Sequence, residues 1–280
     1  MPVQPTIFHI THWKAGSQWV AAILRECAAD RYVAPIVQSG HLLDAPIQPG
    51  MIYPSVYLPK PFFDIVVAGN PDPPLEDVID GPWSQFALDR FREHPESWEG
   101  NRETCAEVQQ GHKKIIVIRD LRDTLISFYF SMKESHPILD QKQAGVRQLL
   151  HKRTLEKGLQ SLMKWLPRQV SPIQLSWLDE EDALHIRYEE LIADEQAAFA
   201  RIIEHTALPV SSERLEEIVH KHSFKNVTGR DRGTEDVTSH YRKGIAGDWR
   251  NYFTEQIKDT FKEHYGHVLI ATGYESDLNW

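Results

Sequence analysis

A lysine, one glycine and a serine stand between an apolar run and an amphipathic segment in FHITHWKAGSQWVAAILREC, residues 8–27. That order brings Lys14 and a small-residue turn to the first turn of a helix, and the chemistry it suits is the binding of an anion. A helix N-terminus presents unpaired N–H groups and the positive end of a dipole, and a strand–turn–helix corner aims both at one point. Two more residues with useful chemistry follow short apolar runs, Arg119 after IIVI and Tyr188 after ALHIR. A cation, a second cation and an aromatic ring at three strand ends describe a nucleotide-sized anion site. Taken singly, each has a plainer reading: Lys14 and Arg119 as solvated loop charges, Tyr188 as a core aromatic with a wet hydroxyl.

The elements that must position these residues can be read from periodicity. Residues 7–11 are expected to form the first strand, with Ser17 as N-cap of the next helix. In that helix Trp19, Val20, Ile23, Leu24 and Cys27 recur at helical spacing and face the core. Residues 51–58 read as a strand in which Pro54 marks an edge or an end. Residues 115–118 and 183–188 read as buried strands. Helices are expected over residues 124–133, over 158–170 with a stop near Pro167, and over 195–206. Strands alternating with helices give an α/β fold with a mainly parallel central sheet flanked by crossover helices. In such sheets ligands bind beyond the carboxyl ends of the strands, where Lys14, Arg119 and Tyr188 stand.

Composition narrows the field. Thirty-one Lys and Arg against 40 Asp and Glu leave a formal charge of −9, which argues against a nucleic-acid binder relying on overall electrostatics. A hydrophobic content of 41% is ordinary for a globular protein, and 280 residues fit one large α/β domain or two small ones; a single domain spanning residues 1–280 is expected. Cys27 and Cys105 have neither metal nor redox spacing and read as free thiols in a reducing, cytoplasmic setting. The N-terminus lacks the basic segment and apolar run of a signal peptide. No window approaches the roughly 18 apolar residues of a membrane span. The Pro- and Gly-rich residues 69–82 read as an exposed loop or insertion. No metal is expected.

Four segments together carry a resemblance to a known family. THWKAGSQWV is similar to the 5′-phosphosulfate loop of cytosolic-type sulfotransferases, T-Y-P-K-S-G-T-T-W. RDLRDTLIS resembles their 3′-phosphate motif, RYEEL their Y-E-D-L segment, and RKGIAGDWRNYFT their R-K-G-x-x-G-D-W-K-N-x-F-T signature. The segments keep the family order from Thr11 to Thr254. The resemblance, taken here as one to a bacterial-type member, implies a P-loop-kinase-like fold. It also implies transfer of a sulfuryl group from 3′-phosphoadenosine 5′-phosphosulfate (PAPS) to a hydroxyl or amine of a small-molecule acceptor, leaving adenosine 3′,5′-bisphosphate (PAP). Matched residue by residue, it gives Lys14 to the leaving oxygen and Ala15, Gly16, Ser17, Gln18 and Trp19 to the phosphosulfate. Arg119, Ser127, Arg242, Lys243 and Gly244 fall to the 3′-phosphate, and Tyr188, Ser223 and Phe224, with Trp19, to the adenine.

This chain departs from the family pattern in several places. Trp13 replaces a proline, and Ser17 and Gln18 replace two threonines. Glu255 and Asp259 stand where the family's dimer motif differs, so the dimer is not carried over and the oligomeric state stays open. Residues 30–112 match the family poorly and are expected to form a divergent acceptor-side region or insertion. The family's base is a histidine in T-H-L-P, and here two registrations compete. REHPESW offers His94, whereas SVYLPKPFF is closer in sequence but has Val56 and Tyr57 where the histidine would be. Trp83, Phe86, Ala87 and Phe91 suggest that His94 ends a helix before Pro95, which would make it a capping residue. His136 in KESHP resembles a family His-Pro of the acceptor pocket and is the second candidate. His112, beside two lysines, reads as solvated. GRDRG, residues 229–233, reads equally as a solvated turn or as a cover for the nucleotide.

Two other functions compete. A P-loop kinase needs G-x-x-x-x-G-K-[ST], and no G-K-[ST] occurs. A non-catalytic protein that binds PAPS or PAP through the same residues remains the stronger alternative.

Overall fold

The computed structural model describes residues 4–36, 39–69, 89–90 and 93–280. Four parallel strands form one sheet in the order β2-β1-β3-β4: β1 (Thr6–Thr11), β2 (Ile52–Val56), β3 (His112–Ile118) and β4 (Ala183–Arg187). Pro54, which cannot donate to a ladder, lies in the edge strand β2.

Among the described residues the helices, in chain order, are α1 (Ser17–Cys27), α2 (Gly40–Leu43), α3 (Lys60–Ala68), α4 (Pro95–Gln110), α5 (Leu121–Phe130), α6 (Gln141–Lys152), α7 (Leu155–Met163), α8 (Leu166–Ser176), α9 (Tyr188–Ala193), α10 (Glu195–Thr206), α11 (Ser212–Lys221), α12 (Phe224–Thr228) and α13 (Glu255–Ala271). A π turn, Ser131–Ser135, follows α5.

Alternation along the central strands sorts the core into two layers. Phe8, Ile10, Ile116 and Ile118 pack with α3, α4 and α8 on one face. Ile7, Ile115, Val117 and Ile186 pack with α1, α10 and α11 on the other. A third cluster joins α5, α7 and α13 through Leu125, Tyr129, Leu162, Phe261 and Leu269, and closes over Trp249 and Phe253.

Several expected boundaries move: the helix expected over residues 124–133 runs Leu121–Phe130, and the strand expected over 51–58 runs Ile52–Val56. The third strand begins at His112, because pairing of Thr6, Ile7 and Phe8 with His112, Lys113 and Lys114 recruits the polar start of the segment. Tyr188 does not end β4 but opens α9. Pro167 does not stop a helix: α7 ends at Met163, and Pro167 sits in the first turn of α8, where its missing N–H costs nothing. The expected loop over residues 69–82 lies, beyond Gly69, outside the described residues.

Candidate functional site

The chain leaves β1 at Thr11 and turns into α1 through a tight loop in which Lys14 has φ +68° and Gly16 φ +80°. Gly16, not the expected Ser17, is the N-cap of α1 and no side chain caps it; the Trp19 N–H turns back to the Gly16 carbonyl at 3.0 Å, leaving the N–H groups before it to an outside acceptor. Ala15 and Ser17 are buried and Gln18 is exposed. The corner is fixed from below by His12, which is wholly buried. Its Nδ1–H donates to the Trp13 carbonyl at 2.9 Å, leaving Nε2 to accept from the backbone N–H of Arg119 at 3.1 Å. Gln174 Nε2 bridges the same two places, 2.9 Å from His12 Nε2 and 2.7 Å from the Arg119 carbonyl. Burial pushes His12 down to about 4, which keeps it the neutral acceptor this geometry needs.

Arg119 therefore leaves β3 locked to the loop. Its guanidinium donates to the carbonyls of Lys14 and Ile245, each at 3.0 Å, and lies 4.3 Å from the Tyr188 ring centroid. Buried Nε of Arg119 has no partner within the described chain. A buried cation with an unused donor, next to an uncapped helix start, is the residue set that an anionic group fits. Lys14 Nζ donates to Ser131 Oγ at 3.2 Å. Burial and the positive charges of Arg119 and Arg242 push Lys14 down to about 8. Ser127 is half-buried on α5.

The C-terminal segment reaches this point by way of buried Asp123, whose carboxylate accepts from the N–H of Gly247 at 2.6 Å and of Trp249 at 2.9 Å. Arg242 and Lys243 are both bound to Asp248, at 2.5 and 2.8 Å, and Arg242 packs 4.5 Å over Phe130. Gly244 has φ +65°, and a Cβ there would come within 2.6 Å of the Phe224 ring. Ser223 caps α12, accepting from Asn226. The GRDRG turn is not merely solvated: Arg232 lies 5.5 Å from both the Trp19 and Phe224 rings and donates to the Gly244 carbonyl at 2.7 Å. The structure thus gathers Lys14, Arg119, Tyr188, Trp19, Phe224 and the Arg242–Gly244 segment.

The acceptor side differs from the sequence expectation. His94 is the N-cap residue of α4; its ring lies 3.7 Å from Asp44 and 3.4 Å from Glu96, and it is not brought to Lys14. Pro95 starts a new helix at that point and turns His94 toward the end of α2. Trp83, Phe86, Ala87 and Phe91, cited for the preceding helix, lie outside the described residues. His112 is half-buried rather than solvated, with Nδ1 2.9 Å from the Val108 carbonyl. His136 closes the π turn, its N–H bound to the Ser131 carbonyl at 2.7 Å. Partial burial and the charges of Lys14 and Arg147 lower its imidazole.

His240, which sequence reasoning missed, belongs to the same group: partial burial, then Lys14 and His136, push it to about 4, although the residue is exposed overall. The only hint in the sequence was its place two residues before RKG. Trp13 lines this side with its ring 5.9 Å from Tyr57 and stacked at 6.1 Å on the exposed Trp165. Among the described residues no cluster of His, Cys, Asp and Glu is placed to hold a metal, and no helix is long and apolar enough to cross a membrane.

Residues 106–273 match the sulfotransferase domain family. Among curated proteins, sulfotransferase 1A1 of Mus musculus is 23% identical over 280 residues, covering 94% of this chain and 84% of that one. Sulfotransferase 6B1 of Danio rerio is 22% identical over 60% of this chain, and sulfotransferase 1E1 of Homo sapiens 26% over 55%. The chain spans about half the length of most of these relatives, 55% and 53% for the last two. They come from animals and, in one case, the plant Flaveria bidentis, so the bacterial-type expectation is not borne out. Of solved structures, mouse sulfotransferase SULT7A1 complexed with PAP aligns with a TM-score of 0.54 at 17% identity, covering 95% of this chain and 84% of that one. Retinol dehydratase in complex with androsterone and PAP aligns with a TM-score of 0.50 at 14% identity, covering 96% and 82%. The fold is that of these proteins.

Proposed function

Since the chain belongs to the sulfotransferase domain family, we propose that it transfers a sulfuryl group from PAPS to a hydroxyl or amine of a small-molecule acceptor. The observation that carries this reading is the meeting of Lys14 and Arg119, one with a depressed pKa and one with an unused buried donor, at the uncapped start of α1. The donor supplies an activated sulfuryl group. The chain supplies everything else. N–H groups of the Lys14–Trp19 loop hold the phosphosulfate, and Lys14 neutralises charge as it develops on the leaving oxygen. Arg119, Ser127, Arg242, Lys243 and Gly244 hold the 3′-phosphate. Tyr188, Trp19, Ser223 and Phe224 flank the adenine, with Arg232 over two of those rings. His136 stands on the acceptor side. His94, held by Asp44 and Glu96, takes no part in this reading.

The test is release of PAP from PAPS in the presence of a panel of phenols, alcohols, amines and sugars, together with calorimetric titration of PAP. Binding with acceptor-dependent release supports the reading. Binding without release for any acceptor favours a non-catalytic nucleotide-binding protein, and absence of both removes the site assignment.

A further inference from the structure

Tyr57 follows the carboxyl end of β2, and its hydroxyl donates to Ser17 Oγ at 2.8 Å. Ser17 is the first residue of α1 and belongs to the loop assigned to the phosphosulfate. The Tyr57 N–H is anchored on Ser39 Oγ at 2.9 Å, and its ring packs against Trp13 at 5.9 Å. Ser55 has φ +57°, the kind of strained backbone that a fold retains where a side chain must be aimed. Tyr57 is half-buried and Ser17 buried, and the phenol oxygen itself is desolvated where it reaches Ser17 at the loop.

Resting on the proposed sulfuryl transfer, we infer that Tyr57 and Ser17 form a neutral proton relay between the acceptor and the leaving group. As the acceptor oxygen or nitrogen forms its bond to sulfur, its proton passes to Tyr57 Oη. The Tyr57 proton passes to Ser17 Oγ, and the Ser17 proton passes to the departing phosphate group. The electron pair of the breaking sulfur–oxygen bond stays with that phosphate. Each hydroxyl gains one proton and loses one, so neither residue ends charged and no free base is needed. Burial raises the Tyr57 pKa against the opposing effect of the Ser17 and Ser55 hydroxyls. The phenol is thus protonated at neutral pH, as a relay requires and as a tyrosinate base would not be. The rival is a histidine base drawn from His136 and His240, and it differs in what it does to pH dependence.

The experiment compares wild type, Tyr57→Phe and Tyr57→His by kcat and kcat/KM against pH, by calorimetric titration of PAP, and by thermal melting. Tyr57→Phe is expected to lower kcat by roughly 10²–10⁴-fold, the span of proton-transfer assistance. Its PAP affinity and melting midpoint should stay close to wild type. Wild type should show no acidic limb in kcat/KM, whereas Tyr57→His should regain part of the lost rate and acquire a limb near the histidine value of about 6.5. Full turnover in Tyr57→Phe overturns the relay, as does a wild-type acidic limb that disappears in His136→Ala or His240→Ala. A loss of PAP affinity in step with kcat also overturns it, because Tyr57 would then only shape the loop. Failure of the wild type to transfer to any acceptor overturns the functional reading itself, and the relay with it.

Discussion

The guanidinium of Arg119 rests 4.3 Å from the centroid of the Tyr188 ring, so a charge leaving β3 and the first residue of α9 form one surface. The same ring closes on the loop after β1: a Cβ on Gly16 would lie 3.1 Å from Tyr188 Cδ2. Three strand exits therefore share a contact so tight that an added methyl group would displace the Tyr188 ring by a few tenths of an ångström. Gly16→Ala should push Tyr188 and with it Arg119. Gly229→Ala is the control, because its φ of +70° is equally left-handed but nothing lies within 4 Å of the added carbon. Both variants should lose about 1 kcal/mol of stability to backbone strain. Only Gly16→Ala should also lose PAP affinity, by about tenfold or more, about 1.4 kcal/mol. Equal PAP affinities in calorimetry would show that the Tyr188 contact does not position Arg119.

If the proposed transfer uses Lys14, its ammonium should set an alkaline limit. Burial first, then Arg119 and Arg242, bring its ammonium down to about 8. The charged form is the one that can stabilise a leaving oxygen, so kcat/KM for PAPS should fall about tenfold per pH unit above that value. An anionic donor favours the ammonium, so the limb in kcat should lie higher than the limb in kcat/KM. Lys14→Arg, whose charge persists, should be slower but should lack the limb. A wild-type profile flat to pH 10 would place the catalytic cation elsewhere.

Motifs in the sequence mark the candidate anion site well because anion recognition constrains the backbone: Gly16 and Gly244 stand where a side chain would crowd Tyr188 or clash with Phe224, and Lys14 and Arg119 follow apolar strands. Alternation of Phe8 and Ile10 against Ile7 likewise exposes the two faces of the sheet. Polar contacts between distant segments leave no periodic trace. The His12–Gln174 clamp joins residues 162 apart, and Tyr57 meets Ser17 across 40. His240 owes its place to a segment without regular structure. Spacing offers His94 as a base and Pro95 beside it offers the capping reading, but its contacts with Asp44 and Glu96 leave no trace in the sequence.

The group formed by Lys14, His136 and His240 can be examined without turnover. His240 is lowered by partial burial of its ring, by Lys14 and by His136, while the Tyr241 ring meets it edge-on at 5.7 Å. Removing a positive charge makes protonation easier, so Lys14→Met should raise the His240 midpoint from about 4 toward the ordinary histidine value. Imidazole resonances followed through an NMR titration measure this directly. An unchanged midpoint would separate His240 from Lys14 and remove it from the acceptor side.

The final prediction concerns Arg242 and Lys243, more than a hundred residues from Arg119 in the chain. Their donors are already engaged by Asp248, which is 2% exposed, with Glu235 taking a further bond from Arg242. Replacing both cations by alanine leaves Asp248 buried with only Asn251 among its side-chain donors, and an unpaired buried charge of this kind costs about 3–5 kcal/mol. Loss of fold and loss of binding would then be confused. Adding Asp248→Asn removes the stranded charge, so the triple variant should melt well above the Arg242→Ala/Lys243→Ala double variant. Its PAP affinity should nevertheless stay low. Charge-assisted hydrogen bonds contribute about 1.5–3 kcal/mol each, so losing two should weaken PAP by roughly 10²–10⁴-fold. Adenosine 5′-phosphate, which lacks a 3′ group, should bind the triple variant nearly as it binds wild type. Calorimetric titration of both nucleotides decides the matter. Equal weakening of the two would mean that the Arg242–Gly244 segment serves the fold, because only a contact with the 3′-phosphate can separate them.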